Sequence, residues 1–179
     1  MKKMIIPVLV TVLLSLSLGS LSASAAMFNL ETELKSDAGI LVNVDTGTVI
    51  VEKNPDKQLQ PAHLVHIMTA IVVLENCPDI TAEVLTMDEN IFAVTNYDYP
   101  GDLRNSGIKD GDKLTVKDLL HAMILQSAHE AANMLAYRFG DGSIENFVSK
   151  MNAKAKEIGV NNTTFTNPNG LYSVNQLST

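Results

Sequence analysis

The chain has 179 residues, with 20 acidic against 13 basic side chains and a formal net charge of −7. A surface of that sign repels a phosphate backbone, and the lysines stand singly rather than in patches, so nucleic acid is excluded as a partner. Cys77 is the only cysteine, which excludes an intrachain disulfide and a cysteine-based zinc site; its simplest role is a small, partly buried apolar group at a helix end.

Lys2 and Lys3 open the chain, an apolar run extends from Met4 to Leu18, and Ala23-Ser24-Ala25 offers the small residues that a signal peptidase needs. The run falls short of the roughly 20 residues of a bilayer span, so residues 1–25 read as a cleaved export signal. What remains, residues 26–179, is about 150 residues and enough for one core. Without Lys2 and Lys3 it carries 11 basic residues against 20 acidic ones. Export would place it in the secreted fraction or on the exterior of a bacterial cell envelope.

Ala38 to Val44 and Thr48 to Glu52 are β-rich runs joined by the turn signal Asp45-Thr46-Gly47, a hairpin pattern that Asn54-Pro55-Asp56 ends. After Pro61, residues His63 to Glu75 spread apolar side chains all round a helix, as a buried central helix does. Pro78 to Asp112 is loop-like, with a short strand candidate at Glu83 to Thr86. Turn clusters stand at Tyr99-Pro100-Gly101 and Lys109 to Asp112, and Asp98, Asp102, Asp110 and Asp112 read as solvated loop charges. Thr115 and Asp118 have the spacing of a capping box and open a helix to about Leu125. Further helices are expected from about His129 to Phe139 and from Ser143 to Ile158, ending at Gly159. The last twenty residues, with Asn167-Pro168-Asn169-Gly170, read as turns and loop.

In this order the landmarks ILVNVDTGTVIVEKNPDKQLQPA, IMTAIVVLE, LTVKDLLHAMILQSAHEAANMLA and FVSKMNAKAKEIGVNNTTFTNPNGLYSVNQLST resemble those of the peptidase S11 family, the penicillin-binding DD-carboxypeptidases of the bacterial cell wall. The resemblance covers residues 36–179. It implies an α+β fold of the serine β-lactamase and penicillin-binding type, truncated here: a helical region plus an incomplete antiparallel sheet, whose later strands and terminal helix are missing. It also implies peptidoglycan peptides as the ligand class. Such a half domain would leave a sheet edge unpaired, so a homodimer or a separately encoded second half is an expected partner.

The family's first motif, Ser-x-x-Lys after Pro-Ala, falls where this chain reads His63-Leu64-Val65-His66. Acyl-serine chemistry needs a hydroxyl beside a base, and both groups are replaced. The second motif falls at Ser127-Ala128-His129, keeping a serine and gaining a third histidine. The third motif, Lys-Thr-Gly, would lie beyond Thr179 and with it one oxyanion donor. A serine mechanism recruiting Ser127 is the least favoured reading.

Residues 63 and 66 share a helix face with Cβ atoms about 5–6 Å apart, and the family places the second motif across the same cleft. His63, His66 and His129 are therefore candidate ligands for a divalent transition metal, zinc first, with nickel and copper also compatible. Water could fill a fourth position for hydrolysis, or Glu130 could close it; Glu130 equally suits the positive end of a helix. Ser127 could orient a water. The competing reading is that a decayed enzyme gained histidines by drift and serves as a non-catalytic binder of wall peptide or a partner. His121 reads as an ordinary helix residue.

Overall fold

The computed structural model describes residues 34–92, 106–171 and 175–178. The expected export signal, the expected turn at Tyr99-Pro100-Gly101, Asp98 and Asp102 lie outside the described residues. The chain divides into two compact units, one ending at Pro55 and one beginning at Asp56.

In the first unit the expected hairpin is present as strands β1 (Gly39–Val42) and β2 (Val49–Lys53), antiparallel, with Gly39 opposite Lys53 and a register irregularity between Leu41 and Val42. Its loop closes through Asn43, whose amide donates to the Thr48 carbonyl and whose own carbonyl accepts from Gly47, both at 2.8 Å. The Asn43 side-chain oxygen also accepts from the Thr46 amide at 3.1 Å, an Asx-type bond of the kind that favours asparagine in turns. Gly47, at φ +68°, takes the left-handed position that a side chain would resist. Ile40, Leu41 and Val44 are exposed.

The second unit is mainly helical. A 3-10 turn at Ala62–Leu64, with Ala62 at φ 46°, leads into α1 (Val65–Asn76), two residues later than the sequence pattern suggests. One side of α1 buries Val65, Met68, Val72 and Val73; the other leaves Leu64, Ile67 and Leu74 about half exposed or more. The expectation of burial all round is thus met on one side only.

The segment expected to be loop-like holds the short strand β3 (Val84–Thr86) and one helical turn, α2 (Glu89–Phe92). An unforeseen strand, β4 (Lys113–Thr115), pairs antiparallel with β3, Val84 lying opposite Thr115. Helix α3 (Val116–Gln126) then starts at the expected capping box: the Thr115 hydroxyl accepts from the Asp118 amide and the Asp118 carboxylate accepts from the Thr115 amide, each at 3.1 Å. Those bonds satisfy donors that a helix start leaves without partners. Helix α4 (His129–Phe139) follows, and α5 (Ile144–Glu157) is capped by the Ser143 hydroxyl accepting from the Asn146 amide at 3.1 Å.

Helices α1, α3, α4 and α5 pack around Val65, Val73, Leu119, Met123, Leu135, Phe147 and Met151, all fully buried. Burying side chains of this size stabilises by about 1.5–3 kcal/mol each before chain entropy is counted. The final loop is tied back by isolated bridges, Thr164 with Leu177 and Leu59 with Ser178. Among the described residues no helix is long and apolar enough to cross a membrane.

Candidate functional site

Three chain segments of the helical unit meet at one point: the entry to α1, the start of α4, and the turn at 167–171. His63 sits exposed on the 3-10 turn, and His66 lies in the first turn of α1 with 2% of its surface exposed. Three residues of helical spacing bring their ring centroids to 5.4 Å. His129 is the first residue of α4 and is 4% exposed. Its ring stacks on His63 at 5.2 Å with a 29° interplanar angle and meets His66 edge-on at 6.2 Å. The three rings that the sequence nominates therefore do come together.

Two of the three face one backbone oxygen. His66 Nε2 and His129 Nδ1 lie 2.9 and 2.8 Å from the carbonyl oxygen of Asn169. A carbonyl only accepts, so each of these nitrogens carries the proton, and the neutral rings keep their lone pairs on His66 Nδ1 and His129 Nε2. The His66 pKa is lowered to about 4, chiefly by burial and also by the neighbouring rings of His63 and His129, against the raising effect of hydrogen bonds to the Asn169 and Met123 backbone. The pKa of His129 is also lowered, chiefly by burial. Both rings are thus neutral near pH 7, the protonation state that metal ligation requires.

The Asn169 turn is fixed by a small amide network. Asn169 donates through its side-chain nitrogen to the Asn133 oxygen at 3.0 Å and accepts from the Leu171 amide at 3.0 Å. The Gly170 amide donates to Asn167 Oδ1 at 2.8 Å, and Asn167 Nδ2 donates to the Leu171 carbonyl at 3.0 Å. Thr69 on α1 donates to the Pro168 carbonyl at 2.8 Å. Gly170 has φ +73°, and a Cβ there would come within 2.4 Å of the Ala62 carbonyl oxygen, so only glycine lets this turn lie against the entry to α1.

Ser127 caps α3 at φ 58° and ψ 38°, a left-handed conformation uncommon for serine; with Ala62 at φ 46°, the segments leading to His63 and to His129 both carry backbone strain. Glu130 is buried, and its carboxylate accepts from the amide and hydroxyl of Ser106 at 2.6 and 2.9 Å. That engagement, beside its place in the first turn of α4, gives it a structural role that spacing alone did not reveal. His121 is exposed on α3, as an ordinary helix residue is. Among the described residues no group of three or more His, Cys, Asp or Glu side chains is arranged to hold a metal ion. The reason is visible at Asn169: the two buried rings aim their protonated nitrogens at its oxygen. The sequence reading missed Asn133, Asn167 and Asn169; the density of turn residues at 167–170 signals a turn, but nothing signals a carbonyl aimed at two histidines.

The sequence model of the D-alanyl-D-alanine carboxypeptidases, peptidase S11, matches residues 23–179. The chain is 34% identical over 139 residues to the D-alanyl-D-alanine carboxypeptidase DacF of Bacillus subtilis, covering 76% of this chain and 34% of the relative. It is 37% identical over 148 residues to DacC of Escherichia coli, covering 79% and 36%. Among solved structures it resembles a Streptomyces DD-transpeptidase with a TM-score of 0.72 at 28% identity, over 83% of this chain and 57% of that one. The helices with short antiparallel strands described above accord with a partial α+β fold of the penicillin-binding type. The chain spans about a third of the length of the two curated relatives.

Proposed function

The chain belongs to the peptidase S11 family of D-alanyl-D-alanine carboxypeptidases, and on that premise we propose that it is an exported cell-wall protein that works without acyl-serine chemistry and holds a divalent transition metal, zinc first, through His63, His66 and His129. The observation that carries this reading is the clustering of three imidazoles with centroids 5.2 to 6.2 Å apart, two of them kept unprotonated by burial. Neutral imidazole is the preferred nitrogen ligand of zinc. The ligand class that the family brings to such a cleft is a peptidoglycan peptide.

Elemental analysis of the untagged mature protein tests the metal. About one zinc per chain is expected, and a protein that stays metal-free at micromolar supply refutes the site. Loss of acyl-serine chemistry is tested separately with a fluorescent penicillin. No covalent label is expected, because position 63 has no hydroxyl and position 66 has no amine. Labelling that disappears in Ser127→Ala would restore a serine mechanism.

A second reading has its own support, the shared Asn169 carbonyl. His66 and His129 would then be neutral packing groups that pin the 167–171 turn, and the cleft would bind peptide or a partner without chemistry. Zinc stoichiometry near zero with an intact fold is the result that selects it.

A further inference from the structure

Strand β3 has a partner on one side only. Its ladder with β4 runs through alternate residues: the Val116 amide donates to the Glu83 carbonyl at 2.9 Å, Leu85 stands opposite Leu114, and the Met87 amide donates to the Asp112 carbonyl at 2.8 Å. Bonding alternates along an antiparallel pair, so Val84 and Thr86 turn their amides and carbonyls away from β4. Both residues are exposed, and among the described residues no hydrogen bond reaches those four main-chain groups.

A groove of about 390 Å³ separates β3 from α4. Val84, Leu85 and Thr86 line one wall, Met134, Tyr137 and Arg138 the other, and no residue of β4 lines it, so it follows the bare edge of the strand. Leu85 and Met134 are buried, which makes its inner part apolar. Its volume is near the low end of the roughly 300–1,000 Å³ of small-ligand pockets, room for a few residues of chain. Donors and acceptors alternating at strand spacing are what the main chain of an extended peptide matches.

Charge selects among such peptides. Two of the lining charges are already paired, Arg138 with Glu83 at 2.7 Å and Asp141 with Lys150 at 2.9 Å. Half-buried Asp88 also lines the groove and makes no ion pair among the described residues. The chain itself carries −7, which disfavours a second copy and favours a basic occupant.

We propose that the groove between β3 and α4 docks an extended basic segment of a partner protein, which adds as an antiparallel strand to the edge of β3. One residue of the segment stands opposite Thr86 and the next but one opposite Val84, together exchanging four main-chain hydrogen bonds. The residue between them shares a face with Leu85, beside Met134, and is apolar. The one opposite Thr86 is the nearest of the three to Asp88 along the strand and is lysine or arginine. The proposal is independent of the three-histidine reading.

The probe is the blocked peptide acetyl-Val-Lys-Leu-Thr-Val-amide, titrated in chelator into the untagged mature protein and followed by amide NMR. At saturation the Val84 and Thr86 amides should exchange with solvent about tenfold more slowly, while the Leu85 amide, already in the ladder, changes little. Methylating the Lys and Thr nitrogens of the peptide removes the two donors that face β3 and should weaken binding about tenfold or more. Glutamate in place of the lysine should weaken binding several-fold to the parent but not to Asp88→Asn. Val84→Pro removes one outward donor, at an edge position where proline is tolerated, and should also bind several-fold more weakly. No binding at millimolar peptide, equal binding of the methylated peptide, or equal binding of the glutamate peptide by the parent overturns the proposal. So does a concentration-dependent dimer that Val84→Pro dissolves, because a second copy would then own the edge.

Discussion

Replacing His66 with alanine is expected to abolish zinc retention and to lower stability by about 2–4 kcal/mol, the range for emptying a buried site and weakening a buried hydrogen bond together. The ring is 2% exposed and donates one of the two imidazole bonds to the Asn169 oxygen, so its removal leaves both a void and a half-satisfied carbonyl. Those losses are structural and would follow whether or not a metal binds. His66→Gln separates the two. A glutamine amide can donate to the same oxygen but is a poor zinc ligand, so stability should stay within about 1 kcal/mol of the parent while zinc affinity drops. The drop should exceed the roughly ten- to hundredfold cost of altering a group that merely supports a ligand. Denaturant melts in chelator, beside zinc binding by calorimetry, read both quantities. A His66→Gln protein that keeps its zinc shows that residue 66 is not a ligand.

The metal-free protein should also lose stability on mild acidification. In the fold His66 has a pKa of about 4, whereas an unfolded chain offers an imidazole near 6.5. Between those values the unfolded state binds more protons, so the stability that depends on a neutral His66 is fully present above about pH 6.5 and falls as the pH drops toward 4. Below that it falls no further on account of this ring. A difference of this size corresponds to about 3 kcal/mol at most. His129, depressed by the same cause, acts in the same direction. Urea midpoints measured from pH 7.5 to 4 in chelator should trace this decline, and His66→Gln should flatten most of it. An equally steep decline in His66→Gln would assign the effect to other groups.

The helices were legible in the sequence because their determinants are local. Thr115 and Asp118 carry a capping box within four residues, Ser143 caps α5, and the hairpin turn announces itself at Asp45-Thr46-Gly47. Strand β4 was not legible: Lys113–Thr115 is three residues long and is a strand only because β3 lies beside it, a pairing that local pattern does not encode. The 3-10 entry to α1 includes a positive φ at Ala62, which is rare for alanine and leaves no mark in the residue order.

At the cleft, the proximity of His63 and His66 followed from helical spacing, and that of His129 from the likeness to a known family. Their orientation followed from neither. It is decided by the Asn169 oxygen, a main-chain atom that every residue type possesses. The open first coordination sphere expected from three histidines is therefore replaced, in the fold, by a hydrogen-bonded knot whose partners come from a turn.

The two bonds in that knot join residues 103 and 40 positions apart along the chain. Closing loops of that length costs chain entropy that the contacts must repay. Residue 66 is an ordinary base in the unfolded chain and a weak one once buried, so mild acid works against the dehydration of this ring.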